Sequence, residues 1–391
     1  MAENAPTPAT DAPTPPTNVP NFDDAAAVLA TLSTAPLPDS ESDSDEDGEP
    51  MTSEEKAQAD AVWKKVEAVL EEYELSPFAM VAARKWVKEM GDPERGPALK
   101  RVRGWLVHRL QGKRRAPPQS AWQSGCPELF PGLRTLPWWD SALLPWAAAL
   151  EAAAPAIREE LLALRGQGVF QPYRAPSWAG GQAAEDGLGK QSHDRGDWNV
   201  YYLQLHDASD IATENAERCP RTMEALRAIL PRGYHHAFFS ALVPGTHITQ
   251  HCGPTNKKLR VHLPLVGCDG ARMRVADETR PTVEGQVFGF DDSHEHEVWH
   301  DGTETRITLI VDIWHPDFTD KEVKFLNYLQ RSKLRAGLKQ SQQQAKHREQ
   351  QKEAGEANTE DDTASDFFEL LKATHKLRAD DAWWGAEKSS E

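Results

Sequence analysis

The spacing of apolar residues divides the chain into segments of different character. Residues 1–51 are rich in Pro, Thr and Ala and then in Ser, Asp and Glu, with no apolar periodicity. Such a segment cannot bury enough apolar surface to offset the entropy of ordering, so it is predicted to be disordered. Residues 52–115 instead repeat apolar side chains every three or four positions, as at Val62, Val66 and Val69, which predicts a small helical module.

Residues 120–318 are predicted to form the main domain, and their pattern is that of short β-strands. Apolar runs broken by Gly, Pro and Asp follow one another between 195 and 316: NVYYLQL, HAFFSALV, KLRVHLPLV, RMRVA, GQVFGF, HEVWH and RITLIVDIW. Short strands separated by turn signals are typical of an antiparallel sandwich or barrel, and not of a parallel sheet.

Helices are predicted on both sides of these strands. An Ala/Leu-rich helix is expected from about Trp146 to Arg165. Residues 319–391 are predicted to be a helical and disordered C-terminal tail, with a polar helix to about residue 350. Residues 366–377 form a short amphipathic patch within that tail, and such a patch is a candidate docking segment for a partner.

Charge is concentrated at the N-terminus. The chain has 391 residues with 44 Lys and Arg against 61 Asp and Glu, a formal net charge of −17. Residues 1–55 contain 13 acidic and no basic residues, so the rest of the chain is close to neutral. This balance excludes a strongly cationic nucleic-acid clamp and a polybasic membrane anchor.

The cysteines and the N-terminus bear on the compartment. Cys126, Cys219, Cys252 and Cys268 form no CxxC pair, which favours reduced thiols over a disulfide framework. No run of 18 apolar residues is present, and the N-terminus lacks the basic and apolar regions of a secretory signal. We therefore expect a cytoplasmic protein, with the nucleus as an alternative.

Nine of the 14 histidines lie between 235 and 315, within the predicted strands. His251 is expected in a turn before a strand, and His296 lies at the start of another. Two histidines at strand edges can converge on one metal inside a small barrel, and neutral imidazole suits iron, zinc or copper. Arg260 and His262 share one face of their strand. Arg306 lies ten residues after His296, near the start of the following strand, where a guanidinium would hold an anionic co-substrate. A purely structural role for these histidines stays open at this point.

Several motifs resemble the catalytic domain of the aspartyl/asparaginyl β-hydroxylases, in matching order and spacing. They are His251-Cys252-Gly253-Pro254-Thr255-Asn256, Arg260-Val261-His262-Leu263, Phe290-Asp291-Asp292-Ser293 running into His296-Glu297-Val298-Trp299, and Ile310-Val311-Asp312-Ile313-Trp314-His315-Pro316. Phe130-Pro131-Gly132-Leu133-Arg134 with Pro137-Trp138-Trp139 resembles the entry segment of that domain. The resemblance covers about residues 120–318, half of the chain.

The resemblance implies a mainly β domain, a double-stranded β-helix of the jelly-roll or cupin-like type, that binds Fe(II), 2-oxoglutarate and O₂. His251 and His296 match the two iron ligands. Gly253 falls where most 2-oxoglutarate oxygenases carry an Asp or Glu ligand, and this family is similar in lacking it, so water is expected to complete the iron coordination.

The resemblance also implies the co-substrate contacts. Arg306 matches the residue that pairs with the distal carboxylate of 2-oxoglutarate. Arg260, His262, Ser240 and Trp198 match further co-substrate contacts. Asp291 and Asp292 are candidates to orient His296 from behind, with a simple turn before the strand as the alternative. His294 and His300 are expected to be exposed strand residues.

The activity implied is hydroxylation of Cβ of Asp or Asn residues in a protein substrate, with 2-oxoglutarate converted to succinate and CO₂. Two alternatives remain. The same chemistry could act on a small molecule or a lipid acyl chain, or the domain could be an inactive binding scaffold. Residues 205–232, predicted as a loop of unusual length and sequence, are expected to line the substrate channel. An apolar tunnel would favour a lipid, and an open polar groove would favour a peptide.

Overall fold

The structure, a computed structural model, describes residues 52–177, 179–206, 209–230, 232–353 and 366–377, together with Trp384. The disorder predicted for residues 1–51 falls outside the described residues. Within them, the strands are, in chain order, β1 (Trp138–Trp139), β2 (Gln171–Pro172), β3 (Gln182–Ala183), β4 (Lys190–Gln191), β5 (His193–Arg195), β6 (Trp198–Leu205), β7 (Gly233–Leu242), β8 (Thr246–His251), β9 (Lys258–Val266), β10 (Ala271–Val275), β11 (Glu278–Pro281), β12 (Phe288–Phe290), β13 (His296–His300) and β14 (Arg306–Trp314).

Two antiparallel sheets form the main domain. The larger sheet has the strand order β1-β12-β9-β14-β7-β6-β2, and the smaller has the order β11-β10-β13-β8-β5. Strands that are neighbours in a sheet are mostly distant in sequence, as where β14 lies between β7 and β9. The predicted double-stranded β-helix is confirmed.

Alternation along the strands of the larger sheet separates two apolar layers. Residues such as Leu259, Val261 and Leu309 point to the outer face and pack against helices. Their neighbours point to the inner face, where Phe238 and Ile310 meet Val298 of the smaller sheet. A strand with period two can serve both layers at once. Polar residues that lie two or four positions along a strand from these inner apolar residues therefore also point to the inner face.

Helices surround the sheets. They are α1 (Ser53–Glu71), α2 (Pro77–Gly91), α3 (Lys100–Leu110), α4 (Ala147–Ala163), α5 (Asp210–Glu217), α6 (Pro220–Ile229), α7 (Asp320–Glu353) and α8 (Phe367–His375). The predicted helices near 146–165 and 320–350 correspond to α4 and α7. No helix among the described residues is long and apolar enough to cross a membrane.

The segment 205–232, predicted as a loop, forms α5 and α6 over most of its length. The Ser209 hydroxyl accepts a hydrogen bond from the Ala212 amide and begins α5, and Pro220 occupies the first turn of α6. Met223 and Leu226 then pack into the outer apolar layer. Helix α6 thus covers the outer face of the larger sheet, whereas Ala212 of α5 is buried in the inner apolar layer. The expectation that this segment lines a substrate channel stays a prediction.

The helical module of α1–α3 shares an apolar core with the main domain. Trp105 of α3 stacks on Phe130 with ring centroids 6.2 Å apart. Phe130 in turn makes an edge contact with Phe318 at 5.0 Å, and Trp314 at the end of β14 belongs to the same cluster. The module and the β domain are therefore joined by buried aromatic packing.

Helix α8 lies against the protein's own β2. Leu370, Leu371 and Thr374 are buried, and the Gln171 side-chain amide donates to the Thr374 hydroxyl at 2.8 Å. The apolar face that suggested partner docking through residues 366–377 is thus already covered, and that docking has no support.

Candidate active site

His251 and His296 lie side by side. His251 is the last residue of β8, not part of a turn before a strand, and it is the register partner of His296 at the start of β13. Their ring centroids are 4.2 Å apart. Nδ1 of His251 donates to the Thr249 carbonyl at 2.8 Å, and Nδ1 of His296 donates to the His294 carbonyl at 2.9 Å. Because carbonyls only accept, Nε2 of each neutral ring keeps its lone pair.

Both imidazoles are neutral at physiological pH. Burial lowers the pKa of His251, and burial together with the neighbouring His251 holds the pKa of His296 well below its usual value. Neutral imidazole is the form that binds a metal. No group of three or more His, Cys, Asp or Glu side chains with metal-site geometry occurs in the described part of the chain. Two imidazoles by themselves would leave several positions on a metal for other ligands, as iron has in oxygenases.

Gly253 lies where a carboxylate ligand would be expected, and the space beside it is filled. A Cβ at position 253 would lie 2.8 Å from Oδ1 of Asp292 and would overlap the rest of that carboxylate. The Gly253 amide also donates to the Asp292 carbonyl at 2.6 Å. The glycine thus allows a carboxylate from another loop to approach the site, where a side chain at 253 would exclude it.

A buried charge network holds that carboxylate. Lys258 Nζ lies 2.6 Å from Asp292 and 3.2 Å from Asp312. Arg260 pairs with both oxygens of Asp312 at 2.9 Å, and His236 Nδ1 is 2.9 Å from Asp312. Although burial opposes ionisation of Asp312, Arg260 and Lys258 hold its pKa well below the usual range. Buried charges persist only when paired in this way.

Arg306 is a buried guanidinium of a different kind. It is 2% exposed, and its Nε and Nη2 have no hydrogen-bond partner among the described residues. Burial lowers its pKa to about 10, so it stays charged at neutral pH. His262 is also buried, and neither of its nitrogens has a partner within the part of the chain that the structure describes. Burial and the nearby Arg306 hold the pKa of His262 well below its usual value, so this ring is neutral.

The other predicted co-substrate contacts lie on the same inner face. Trp198 and Arg306 are both register partners of Leu242 on β7. Trp198 Nε1 donates to the Ser240 hydroxyl at 3.0 Å, and the Trp198 ring is stacked on Tyr173 with centroids 3.7 Å apart. The structure therefore brings Trp198, Ser240, His262 and Arg306 together, while Arg260 is engaged by Asp312.

A cavity of about 460 Å³ opens to solvent beside His251. A short segment after the helical module, residues 120–126, forms one wall with Trp122, Ser124 and Gly125. Gln250, Cys252 and Glu295 also line the cavity. The opening carries hydroxyl, amide and carboxylate groups as well as an indole, so it is a mixed polar and apolar groove.

Several expectations for individual residues are corrected. His294 and His300 are completely buried and not exposed. His300 shares the buried face of β13 with His296, whereas His294 lies in the turn before β13, where its Nδ1 is 3.3 Å from the Asp291 carbonyl. Asp291 and Asp292 do not bind the His296 ring, whose Nδ1 donates to the His294 carbonyl. Asp291 accepts from the Ser293 amide at 3.0 Å instead.

Sequence reasoning missed two groups of residues. Lys258 and Asp312 carry the charge network, and a buried strand that contains Lys or Asp was the available signal. The wall containing Trp122 was missed because it precedes the strands and reaches the site only through tertiary contacts. Its one signal in the sequence was a tryptophan, Trp122, among small and polar residues, which is weak on its own.

Comparison with known proteins gives consistent results. A family model described as aspartyl/asparaginyl β-hydroxylase matches residues 151–316. The human aspartyl/asparaginyl β-hydroxylase is 32% identical over 240 residues, which is 59% of this chain and 30% of the human protein. The chain thus spans less than a third of the length of that relative.

A second relative and a solved structure complete the comparison. The ornithine lipid ester-linked acyl 2-hydroxylase of Rhizobium tropici is 31% identical over 211 residues, covering 53% of this chain and 70% of that protein. A crystal structure of a Pseudomonas putida prolyl-4-hydroxylase is 14% identical, with 42% of this chain and 87% of that chain covered at a TM-score of 0.28, too low to carry an argument. On the strength of the sequence relatives, the chain belongs to the aspartyl/asparaginyl β-hydroxylase family.

Proposed function

We propose that this protein is an Fe(II)- and 2-oxoglutarate-dependent dioxygenase that hydroxylates Cβ of Asp or Asn residues in a protein substrate. His251 and His296 would hold the iron through Nε2, with water completing its coordination. Arg306 would hold the distal carboxylate of 2-oxoglutarate. Ser240, His262, Trp198 and Arg260 would make its remaining contacts, with Arg260 reaching the co-substrate from its pair with Asp312.

The observation that carries this proposal is the buried guanidinium of Arg306, whose Nε and Nη2 have no hydrogen-bond partner among the described residues. A charge removed from water without a counter-ion is strongly unfavourable. A bound anion would remove this cost, and a planar carboxylate matches the guanidinium fork. The unpartnered nitrogens of His262 supply further polar contacts for the same ligand.

The protein's own contribution would be positioning and charge. Bound iron supplies the activation of O₂ that is coupled to decarboxylation of 2-oxoglutarate. The carbonyls of Thr249 and His294 fix the orientation and tautomer of the two histidines. Asp292, held by Lys258, presents a carboxylate beside Gly253, where it can accept a hydrogen bond from water near the histidines. Phe290 separates His262 from His296 with ring centroids 5.3 and 5.2 Å from them.

The groove beside His251 favours a protein substrate. It is open to solvent and combines Trp122 with Ser124, Gln250 and Glu295, which suits a peptide with both polar and apolar groups better than an acyl chain. The unpaired thiols of Cys126, Cys219, Cys252 and Cys268 support action in a reducing compartment, the cytoplasm or nucleus.

A second candidate substrate is a lipid acyl chain. It is favoured by the Rhizobium tropici relative, which is named as an acyl 2-hydroxylase and is covered over 70% of its length. The chemistry would be the same and only the substrate would differ. Succinate release would be measured with phospholipid or ornithine-lipid vesicles and with Asp- and Asn-containing peptides. The class of substrate that raises succinate release identifies which of the two the protein hydroxylates.

The proposal is tested by anaerobic titration of metal-free protein with Fe(II) and 2-oxoglutarate, following the visible metal-to-ligand charge-transfer band. We expect a band in the wild type that is lost in His251→Ala and in Arg306→Ala. Matched controls are His247→Ala, on the same strand but paired with Asp194 and Glu297, and Arg272→Ala, paired with Asp301 on the surface.

Both controls should keep the band. Absence of the band in folded wild-type protein would overturn the proposal and leave the inactive scaffold as the remaining interpretation. A band that survives in Arg306→Ala would show that the guanidinium does not bind the co-substrate.

A further inference from the structure

The wall of the groove, residues 120–126, is hydrogen-bonded directly to the turn that precedes His296. The Glu295 amide donates to the Trp122 carbonyl at 2.8 Å. The buried side-chain amide of Gln123 donates to the Ser293 hydroxyl at 2.8 Å. Arg115 donates to the carbonyls of Gln123 and Ser124 from behind. The Trp122 side chain is therefore presented beside the site by a backbone that is fixed at several points.

The Trp122 ring is also held in place. The Arg274 guanidinium lies over it at 5.4 Å from the ring centroid. Arg274 is fixed by ion pairs with Glu295 at 2.9 Å and with Glu297 at 3.0 Å. Trp122 and Glu295 line the groove but Arg274 and Glu297 do not. The arginine thus holds the indole and the Glu295 carboxylate beside each other.

The groove combines a carboxylate with an apolar surface. Trp122 is 37% exposed, and Ala121 and Cys252 continue its apolar surface toward His251. Glu295 and Glu297 share one guanidinium, so this group of three carries a net negative charge. An indole beside an incompletely neutralised carboxylate suits a cation on an alkyl stem, because the stem packs on the ring and the head meets both the carboxylate and the ring.

We propose that Trp122 and Glu295 form a subsite for a lysine or arginine side chain of the protein substrate, next to the residue that is hydroxylated. This proposal rests on the proposed function only in taking the substrate to be a protein. Its residues are all present without metal or co-substrate, so its binding of a basic side chain can be measured separately from catalysis.

The test uses fluorescein-labelled ten-residue peptides of Ala, Gly and Ser with a single central Asp. In each peptide one further position carries Lys, norleucine or Glu. Across the set this position is moved from three residues before the Asp to three residues after it. Binding to metal-free full-length protein is measured by fluorescence anisotropy. Norleucine keeps most of the alkyl stem and removes the charge. We expect Lys at one position to bind at least about fivefold more tightly than norleucine, the value of a partly exposed ion pair with a cation–π contribution.

The variants locate the effect. Glu295→Gln and Trp122→Ala should each abolish the preference for Lys over norleucine. Glu297→Gln should weaken the preference, because Arg274 then neutralises Glu295 alone. Glu284→Gln is the matched control, because Glu284 pairs with Arg158 on the surface and does not line the groove, and it should keep the preference. Circular dichroism establishes that each variant is folded.

Equal binding of the Lys and norleucine peptides at every position would overturn the subsite, as would a preference that survives in Glu295→Gln. The anaerobic Fe(II) and 2-oxoglutarate titration on the same preparation reports on the proposed function independently. A charge-transfer band without a Lys preference rejects the subsite alone, and a Lys preference without the band rejects the chemistry alone.

Discussion

The Arg306 guanidinium is a buried cation whose geometry, as well as its charge, is expected to matter. A planar fork can bind both oxygens of a carboxylate, whereas a lysine ammonium offers a single point of charge. Arg306→Lys keeps the charge and should weaken 2-oxoglutarate binding by about tenfold, the equivalent of one lost hydrogen bond to a charged group. The measurement is anaerobic titration at fixed Fe(II). An unchanged affinity would show that only the charge is used.

A second prediction at the residue scale concerns Gly253. Because a Cβ at this position would overlap the Asp292 carboxylate, Gly253→Ala should lower the free energy of unfolding by about 1–3 kcal/mol, the usual cost of overpacking. Gly253→Asp should not create a third metal ligand, since the space is already occupied. Denaturant unfolding measures the first effect.

The control for Gly253 is the double variant Gly253→Ala with Asp292→Gly, in which the overlap is absent. The double variant should lose less free energy of unfolding than the sum of the losses in the two single variants. Additive losses would contradict a direct contact between the two positions.

Asp291 is a buried carboxyl whose ionisation opposes folding. Burial raises its pKa to about 7, above the value of about 4 in the unfolded chain. Between these values the folded state holds a proton that the unfolded state has released, so the free energy of unfolding falls as the pH rises from about 4 to 7. Asp291→Asn removes this loss and should stabilise the protein by about 1 kcal/mol or more at pH 8, but not at pH 4.

Thermal or denaturant unfolding at both pH values tests this prediction. Asp301→Asn is the control, because the surface pair with Arg272 lowers the pKa of Asp301, so removing this carboxyl should give no gain at pH 8. An equal effect of Asp291→Asn at pH 4 and pH 8 would contradict the raised pKa.

The residues that sequence could locate are those whose role is set locally or by motif. Strand alternation placed Arg260 and His262 on the inner face, and motif resemblance identified His251, His296 and Arg306. The pairing of Lys258 with Asp292 could not be located in this way, because it joins β9 to a loop 34 residues away. Such a contact depends on which strands become neighbours, and local periodicity does not contain that information.

At the scale of elements, α8 seals the edge of the larger sheet beside β2. Leu371 is buried in the inner apolar layer with Trp198 and Tyr202. Leu371→Ala should therefore lower the free energy of unfolding by about 2–5 kcal/mol. Leu377, which follows α8 and is 41% exposed, is the matched control, and Leu377→Ala should change stability by less than about 0.5 kcal/mol. Equal small effects of the two substitutions would mean that α8 is not docked in solution.

The short length of α5 and α6 explains why these helices were not predicted. Both helices are short, of eight and ten residues, and isolated helices of this length are marginal in water. Their signals were present in Ser209 and Pro220, but the apolar spacing of Met223 and Leu226 spans only one turn. What stabilises these helices is packing on α4 and the sheet, which is a tertiary effect.

At the scale of the whole molecule, the shared aromatic core predicts that the helical module and the β domain unfold together. Trp105 stacks on Phe130, and Phe130 contacts Phe318, so loss of either part would expose the ring system of the other. Trp105→Ala should lower stability by about 3–5 kcal/mol, and hydrogen exchange should report the same loss in α1–α3 and in β14. Phe78, on α2 and 90% exposed, is the control, and Phe78→Ala should leave both regions unchanged. Two separate unfolding transitions, with Trp105→Ala affecting only the helical one, would show that the module is an independent unit and that the wall residues 120–126 are positioned without it.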